Sequence, residues 1–168
     1  FKKFKVHVIG DTIIDSYTKT NLIGGYTKTP TASVIYQEKI DYIGGAAIVS
    51  KHLKKAGAEV CFTTILGFDG LKEFVIKNMK KNKIKLNAII DKTRPTTNKN
   101  TIIAGGYNLL KIDKVDNQPI STTALDKIKN FIIKQKTDAV VFSDFRHGIF
   151  NKISIPILSG SIKKNIYK

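Results

Sequence analysis

At 168 residues, 42% hydrophobic and 25% charged, the chain is long enough for one domain with its own core and has the balance of an ordinary globular protein. Its formal net charge of +16 is almost wholly lysine, since Arg94 and Arg146 are the only arginines; a nucleic-acid role would rest on charge alone, and an anionic small substrate or a lysine-rich background are the other readings. No apolar run approaches the roughly 18 residues of a membrane span, and a single cysteine, Cys61, excludes an intrachain disulfide, so a reducing cytoplasmic setting without a membrane partner is expected.

The start, Phe1-Lys2-Lys3-Phe4-Lys5, reads as the entry to a strand rather than a secretory leader. Lys5 to Gly10 is a buried strand with His7 inside it as a core histidine. Residues 16 to 33, rich in Thr, Gly and Lys, read as a loop with extended pieces, and Val34 to Ile43 as strand-like. Gly44-Gly45 opens a helix to Ala56, with Val49, Leu53 and Ala56 on one face and Gly57 as its stop. Val60 to Leu66 is a second buried strand, carrying Cys61 as a small hydrophobe. Asp69 caps a helix whose Leu71, Phe74, Val75 and Met79 share a face. Ile84, Leu86, Ala88 and Ile90 alternate, as in a half-exposed strand.

Arg94-Pro95 breaks the pattern. Two extended runs follow, Thr96 to Ala104 and Tyr107 to Ile112, joined by Gly105-Gly106 in the manner of a hairpin. Ser121 or Thr122 caps a helix bearing Leu125, Ile128, Phe131 and Ile132. Ala139 to Phe142 is a buried strand ended by Ser143-Asp144, and a last helix starts near Ser154; no closing element is visible in Ile162 to Lys168. Strands alternating with helices predict an α/β fold with a parallel sheet flanked by helices. The extended pieces at about 17–43 and 96–112 do not alternate with helices and are expected to form a separate small β-sheet.

In open α/β sheets ligands sit beyond the carboxyl ends of the strands. Polar clusters at such ends are Gly10-Asp11, Gly67-Phe68-Asp69 and Ser143-Asp144. The dinucleotide and P-loop glycine spacings are both absent. Gly44-Gly45 directly before a helix allows close backbone approach and leaves amides free for a ligand.

These segments in combination resemble the N-terminal half of the ribokinase-like carbohydrate kinases of the phosphofructokinase B type. The matching residues are Val8-Ile9-Gly10-Asp11 with Asp15, Gly44-Gly45-Ala46-Ala47, Ala56-Gly57-Ala58 and Gly67-Phe68-Asp69-Gly70. Pro95-Thr96-Thr97-Asn98-Lys99, Leu109-Leu110-Lys111-Ile112-Asp113 and Phe142-Ser143-Asp144-Phe145 with Gly148 are similar to the heptose-phosphate kinase branch, the kinase part of ADP-heptose synthesis. The resemblance runs through essentially the whole chain and implies that residues 1–168 form the N-terminal portion of one sugar-kinase domain, the small sheet serving as its lid. It implies a sugar or sugar-phosphate substrate held by Asp11, Asp15, Gly44, Gly45, Lys99 and Asp144, with a homodimer through the lid. Three departures stand out: Ile48 where the family has Asn, Gly105-Gly106-Tyr107-Asn108 where the branch has a polar Arg-Asn-Gln-Gln stretch, and His147 where it often has Lys.

The family's general base lies in a late Gly-Ala-Gly-Asp motif that this sequence lacks. No catalytic residue and no metal ligand is therefore assigned here. ATP and magnesium are expected of a full-length parent, and no cofactor of these residues alone. A non-catalytic sugar-binding or interaction protein built on the same fold is the alternative, and a basic nucleic-acid binder a third reading.

Overall fold

The structure is a computed structural model that describes residues 4–23 and 31–168; the expected chain start at 1–3 and residues 24–30 of the segment expected as a loop lie outside the described residues. Four strands, β1 (Lys5–Gly10), β4 (Glu59–Gly67), β5 (Lys85–Asp91) and β8 (Ala139–Ser143), form a sheet in the order β5-β4-β1-β8, parallel throughout. Its strands are apolar on both faces because helices cover both. On one face α1 (Gly45–Lys55) and α2 (Gly70–Lys81) bring Ala46, Ala47, Val75 and Met79 against Val6, Val8, Val60 and Phe62. On the other, α3 (Thr122–Lys134) and α4 (Ser154–Gly160) bring Ala124, Ile128, Ile132 and Leu158 against Ile9, Ile65, Ile89 and Val140. The parallel sheet flanked by helices is the architecture that the alternation of elements predicts.

A second four-stranded sheet has the order β3-β2-β6-β7, from β2 (Thr12–Leu22), β3 (Val34–Gly44), β6 (Asn98–Ala104) and β7 (Tyr107–Lys114). The expected lid is thus present, and its described strands start earlier, at Thr12. Residues 16–22, expected as loop with extended pieces, are continuous strand. Thr, Ser, Tyr and Lys alternate there without an apolar run, and the strand is held by pairing on both sides, antiparallel to β3 and parallel to β6. Gly105 and Gly106 form the expected tight connection, with φ of 57° and 83°, both in the region that glycine favours. The lid is rooted in the core: Ile14 and Ile43 are buried beside α1, and the buried Asn98 donates to the Ile14 carbonyl at 2.9 Å and to Ser16 Oγ at 2.7 Å.

Two other expectations are modified. Ile84, Leu86 and Ala88 face the α1/α2 side as the alternation predicts, but Ile89 is buried on the opposite side and Ile90 is exposed, because β5 also receives cover from α3. The tail does carry a closing contact: Tyr167 pairs parallel with Ala139, its carbonyl accepting from the Val140 amide at 2.9 Å and its amide donating to the Asp138 carbonyl at 3.1 Å. Among the described residues no helix is long and apolar enough to cross a membrane.

Candidate functional site

The carboxyl ends of β1, β4, β5 and β8 open at the end of the sheet where the lid is attached. Gly10 ends β1 in a crowded corner; a side chain there would strike the Ser143 carbonyl and Ala46 Cβ. Directly after it, Asp11 is 3% exposed and directs its Oδ2 at the amides of Phe145 (2.9 Å) and His147 (3.3 Å). Burial raises the Asp11 pKa, and the two backbone donors oppose that rise. The Asp11 carboxylate therefore fixes the loop after β8, and its carbonyl accepts from the Ala46 amide of α1 at 2.8 Å. Part of the helix entry that the sequence offers to a ligand is occupied in this way.

Gly45 has φ +59°, and a Cβ on it would strike the Asp11 carbonyl. Gly44 carries no such torsion; its constraint is the Asp15 carboxylate, which lies where its Cβ would stand. Asp15 is opposite Tyr42 on β3 and Lys99 on β6, and Lys99 is opposite Asp113 on β7. Residues directly opposite one another share a face of a sheet, so Asp15, Lys99 and Asp113 form a charged row across the lid. Beyond Asp15 the same face bears Tyr17 against Tyr42, ring centroids 5.8 Å apart and edge to face, around a shallow concavity of about 530 Å³ that also takes in Lys19, Ile40 and Ile103.

The opposing wall is the loop after β8. Asp144 is exposed, and its Oδ1 accepts from the Arg146 amide at 2.7 Å. His147 pairs through Nδ1 with Asn117 Oδ1 at 2.7 Å, and its buried Nε2 has no partner among the described residues. Burial lowers the His147 pKa; Asp11, Asp113 and Asp144 pull it up and Lys99 pushes it down, so His147 lies within the electrostatic reach of both walls. Of the six sequence-derived residues, Asp15, Gly44 and Lys99 come together on the lid, and Asp144 lies on the strand-end loop whose His147 is within electrostatic reach of Lys99 and Asp113. Asp11 and Gly45 are interior to that arrangement and hold it in shape. Ile48 is partly buried against the α1/α2 core, so where the family has Asn this chain places an apolar contact.

Sequence reasoning passed over Arg94, which it took only as a break. Its side chain is 9% exposed and donates to the carbonyls of Gln118 (3.0 Å), Pro119 (3.3 Å) and His147 (3.3 Å), with Asp91 and Asp116 as counter-ions at 3.4 and 3.8 Å. One planar guanidinium with five donors thus ties the end of β5 to two loops. An arginine beside a proline at a strand end was the available signal. Asp69 lies outside the site: it caps α2 and accepts from the Thr96 amide at 2.8 Å. Among the described residues no three acidic, histidine or cysteine side chains gather to hold a metal ion, and the carboxylates of the cleft stand singly.

A carboxylate and an ammonium side by side, with aromatic rings alongside, suit a polyhydroxylated anion: the carboxylate accepts from hydroxyls and the lysine meets negative charge. The chain matches the family model for pfkB family carbohydrate kinases over residues 3–154. It belongs to that family. Among similar proteins are those named "Bifunctional protein HldE" from Helicobacter pylori, 32% identical over 152 residues, and from Sulfurimonas denitrificans, 28% identical over 151 residues; each alignment covers 88% of this chain and 32% of the relative. Similar solved structures include the tetrameric inhibited form of phosphofructokinase-2 from Escherichia coli, with a TM-score of 0.71 at 12% identity, covering 98% of this chain and 53% of that one. Ribokinase from Giardia lamblia has a TM-score of 0.63 at 14% identity, covering 97% and 52%. The pfkB chain described here spans about a third of the curated relatives and about half of the solved structures.

Proposed function

We propose that this pfkB-family chain is the substrate-side half of an ATP-dependent sugar kinase, with a phosphorylated sugar of the heptose type as the bound substrate. The observation that carries the reading is the row Asp15, Lys99 and Asp113 on the lid face that confronts Asp144 and His147. In this reading Asp15 orients the sugar by accepting from its hydroxyls, Gly44 keeps that carboxylate close to the backbone, and Lys99 faces the substrate's phosphate. The heptose assignment is supported by the likeness to the HldE proteins and by the Pro95–Lys99 segment. ATP would supply the phosphoryl group and magnesium would neutralise it. The chain offers neither a gathered metal site among its described residues nor the late Gly-Ala-Gly-Asp motif.

Phosphoryl transfer rests on positioning and charge stabilisation around the transferred group. The 168 residues alone are therefore expected to bind sugar phosphate without phosphorylating it. A thermal-shift panel should give a rise in Tm with heptose or hexose phosphates and less with the free sugars. Asp15→Ala and Lys99→Ala should each weaken that binding about tenfold or more, as expected for loss of one charge-assisted contact. Sugar phosphates that leave Tm unchanged, or ATP-dependent turnover by these residues alone, would overturn the proposal. The exposed opposite face of the lid fits the homodimer that the family resemblance implies.

A further inference from the structure

The end away from the candidate site carries eleven lysines against two acidic residues, more than half of the formal net charge of +16. Strands β1, β4, β5 and β8 are parallel, so their amino-terminal ends share one end of the molecule. The helices run back from the site and finish there as well. Every passage of the chain through that end is lysine-rich. Lys54 and Lys55 close α1, and Lys80, Lys81, Lys83 and Lys85 link α2 to β5. Lys134 and Lys136 link α3 to β8, Lys163 and Lys164 follow α4, and Lys5 opens β1. All of these but Lys54 are exposed. Glu59 and Asp138 are the acidic residues in these passages; the other acidic residues stand on the lid, at the strand ends beside the site or in the early turns of α2 and α3. Both arginines, Arg94 and Arg146, are also on the site side.

Lysines in the last turn of a helix complement its dipole, which accounts for part of the pattern. It does not account for Lys5, Lys83, Lys85, Lys136, Lys163 and Lys164, which lie beyond the helices. Nor does it account for what projects among them: Phe4 is 54% exposed, Ile133 48% and Tyr167 77%. A hollow of about 710 Å³ lies on this face between the α3–β8 turn and residues 163–166.

We infer that this lysine-rich end is a docking face for an anionic membrane surface, holding the sugar cleft away from the bilayer. Three observations select lipid over nucleic acid. The cations are lysines, which act as hydrated point charges, whereas arginine is favoured for bidentate phosphate and base contacts. The helices present their carbonyl ends here, so no array of free amides cradles a phosphate. The projecting side chains are two aromatic rings and an isoleucine, which a headgroup boundary accommodates. The expectation of no membrane partner rests on the lack of an apolar span, whereas this is surface attachment by charge with shallow apolar contact.

Vesicle co-sedimentation of the whole chain tests it, using phosphatidylglycerol and phosphatidylcholine in a one-to-two ratio against phosphatidylcholine alone. The protein should sediment with the anionic vesicles, be released as salt rises past a Debye length of about 8 Å at 0.15 M, and ignore the neutral ones. The set Lys55→Gln, Lys81→Gln, Lys136→Gln and Lys164→Gln should reduce partitioning at least about tenfold, since each lysine near an anionic surface contributes severalfold. The equal-charge control set Lys77→Gln, Lys92→Gln, Lys114→Gln and Lys127→Gln should change it less than about twofold on the same grounds. Circular dichroism melts would show that both sets fold. Equal losses in the two sets, equal binding to neutral vesicles, no binding at low salt, or tighter binding of a single-stranded RNA at matched salt would each overturn the inference.

Discussion

His7 is wholly buried in β1, with Nε2 2.7 Å from Thr63 Oγ1 and Nδ1 without a partner among the described residues. Burial, and secondarily the charge of Lys85, lowers its pKa from 6.5 to about 4. Between those two values the unfolded chain takes up a proton that the native chain refuses. Its contribution is therefore full above pH 6.5 and is lost as pH falls toward about 4, by up to about 3 kcal/mol. Asp11 works the other way: its raised pKa makes the native carboxyl hold its proton longer, so its contribution declines as pH rises above the ordinary carboxylate range. Urea melts across this acid window should show a smaller loss of stability for His7→Gln than for the parent. Parallel profiles would mean that His7 is not the group responsible.

Two helix caps, one a hydroxyl and one a carboxylate, should differ in worth. Ser121 accepts from the Ala124 amide and caps α3 alone. Asp69 caps α2 and also receives the Thr96 amide at 2.8 Å, joining the helix start to the run leading into β6. Ser121→Ala is expected to cost about 1 kcal/mol, and Asp69→Ala about 2 kcal/mol or more because a second amide loses its acceptor. Denaturant midpoints of the two variants check this, and equal costs would show the Thr96 contact to be idle. Both caps were legible in the sequence, as were β1, α2 and the Gly105-Gly106 turn, because each rests on residues close together in the chain. β2 was not, since its polar alternation becomes a strand only with β3 and β6 on either side. The site divides in the same way. That Asp15, Gly44 and Lys99 lie together follows the motifs, whereas the bond from Phe145 to Asp11 spans 134 positions and the reach of Arg94 to His147 spans 53, distances at which no local pattern speaks.

At the scale of the molecule, the lid has one face toward the candidate cleft and another without cover among the described residues. Leu22, Tyr36, Leu110 and Ile112 lie on the face opposite Asp15 and are between 52% and 62% exposed. An apolar sheet face of that kind is a recognised interface signature. If two lids pack through it, Leu110→Lys with Ile112→Lys should weaken the dimer about a hundredfold or more, given the apolar area each residue removes from water. Light scattering after size exclusion would then report a monomer with an unchanged melting profile; a dimer surviving both substitutions would place the contact elsewhere.

The pairing of Tyr167 with β8 bears on solubility. Among the described residues β8 is the outer strand of its sheet, and an outer strand offers a row of unsatisfied amides and carbonyls to any passing chain. The Val140 amide and the Asp138 carbonyl are withdrawn from that row by a single residue near the chain end. Tyr167 thus acts as a guard strand of minimal length. In the 168-residue chain, loss of this contact would offer β8 as a template for edge-to-edge growth, so aggregation should follow release of Tyr167 rather than unfolding of the core.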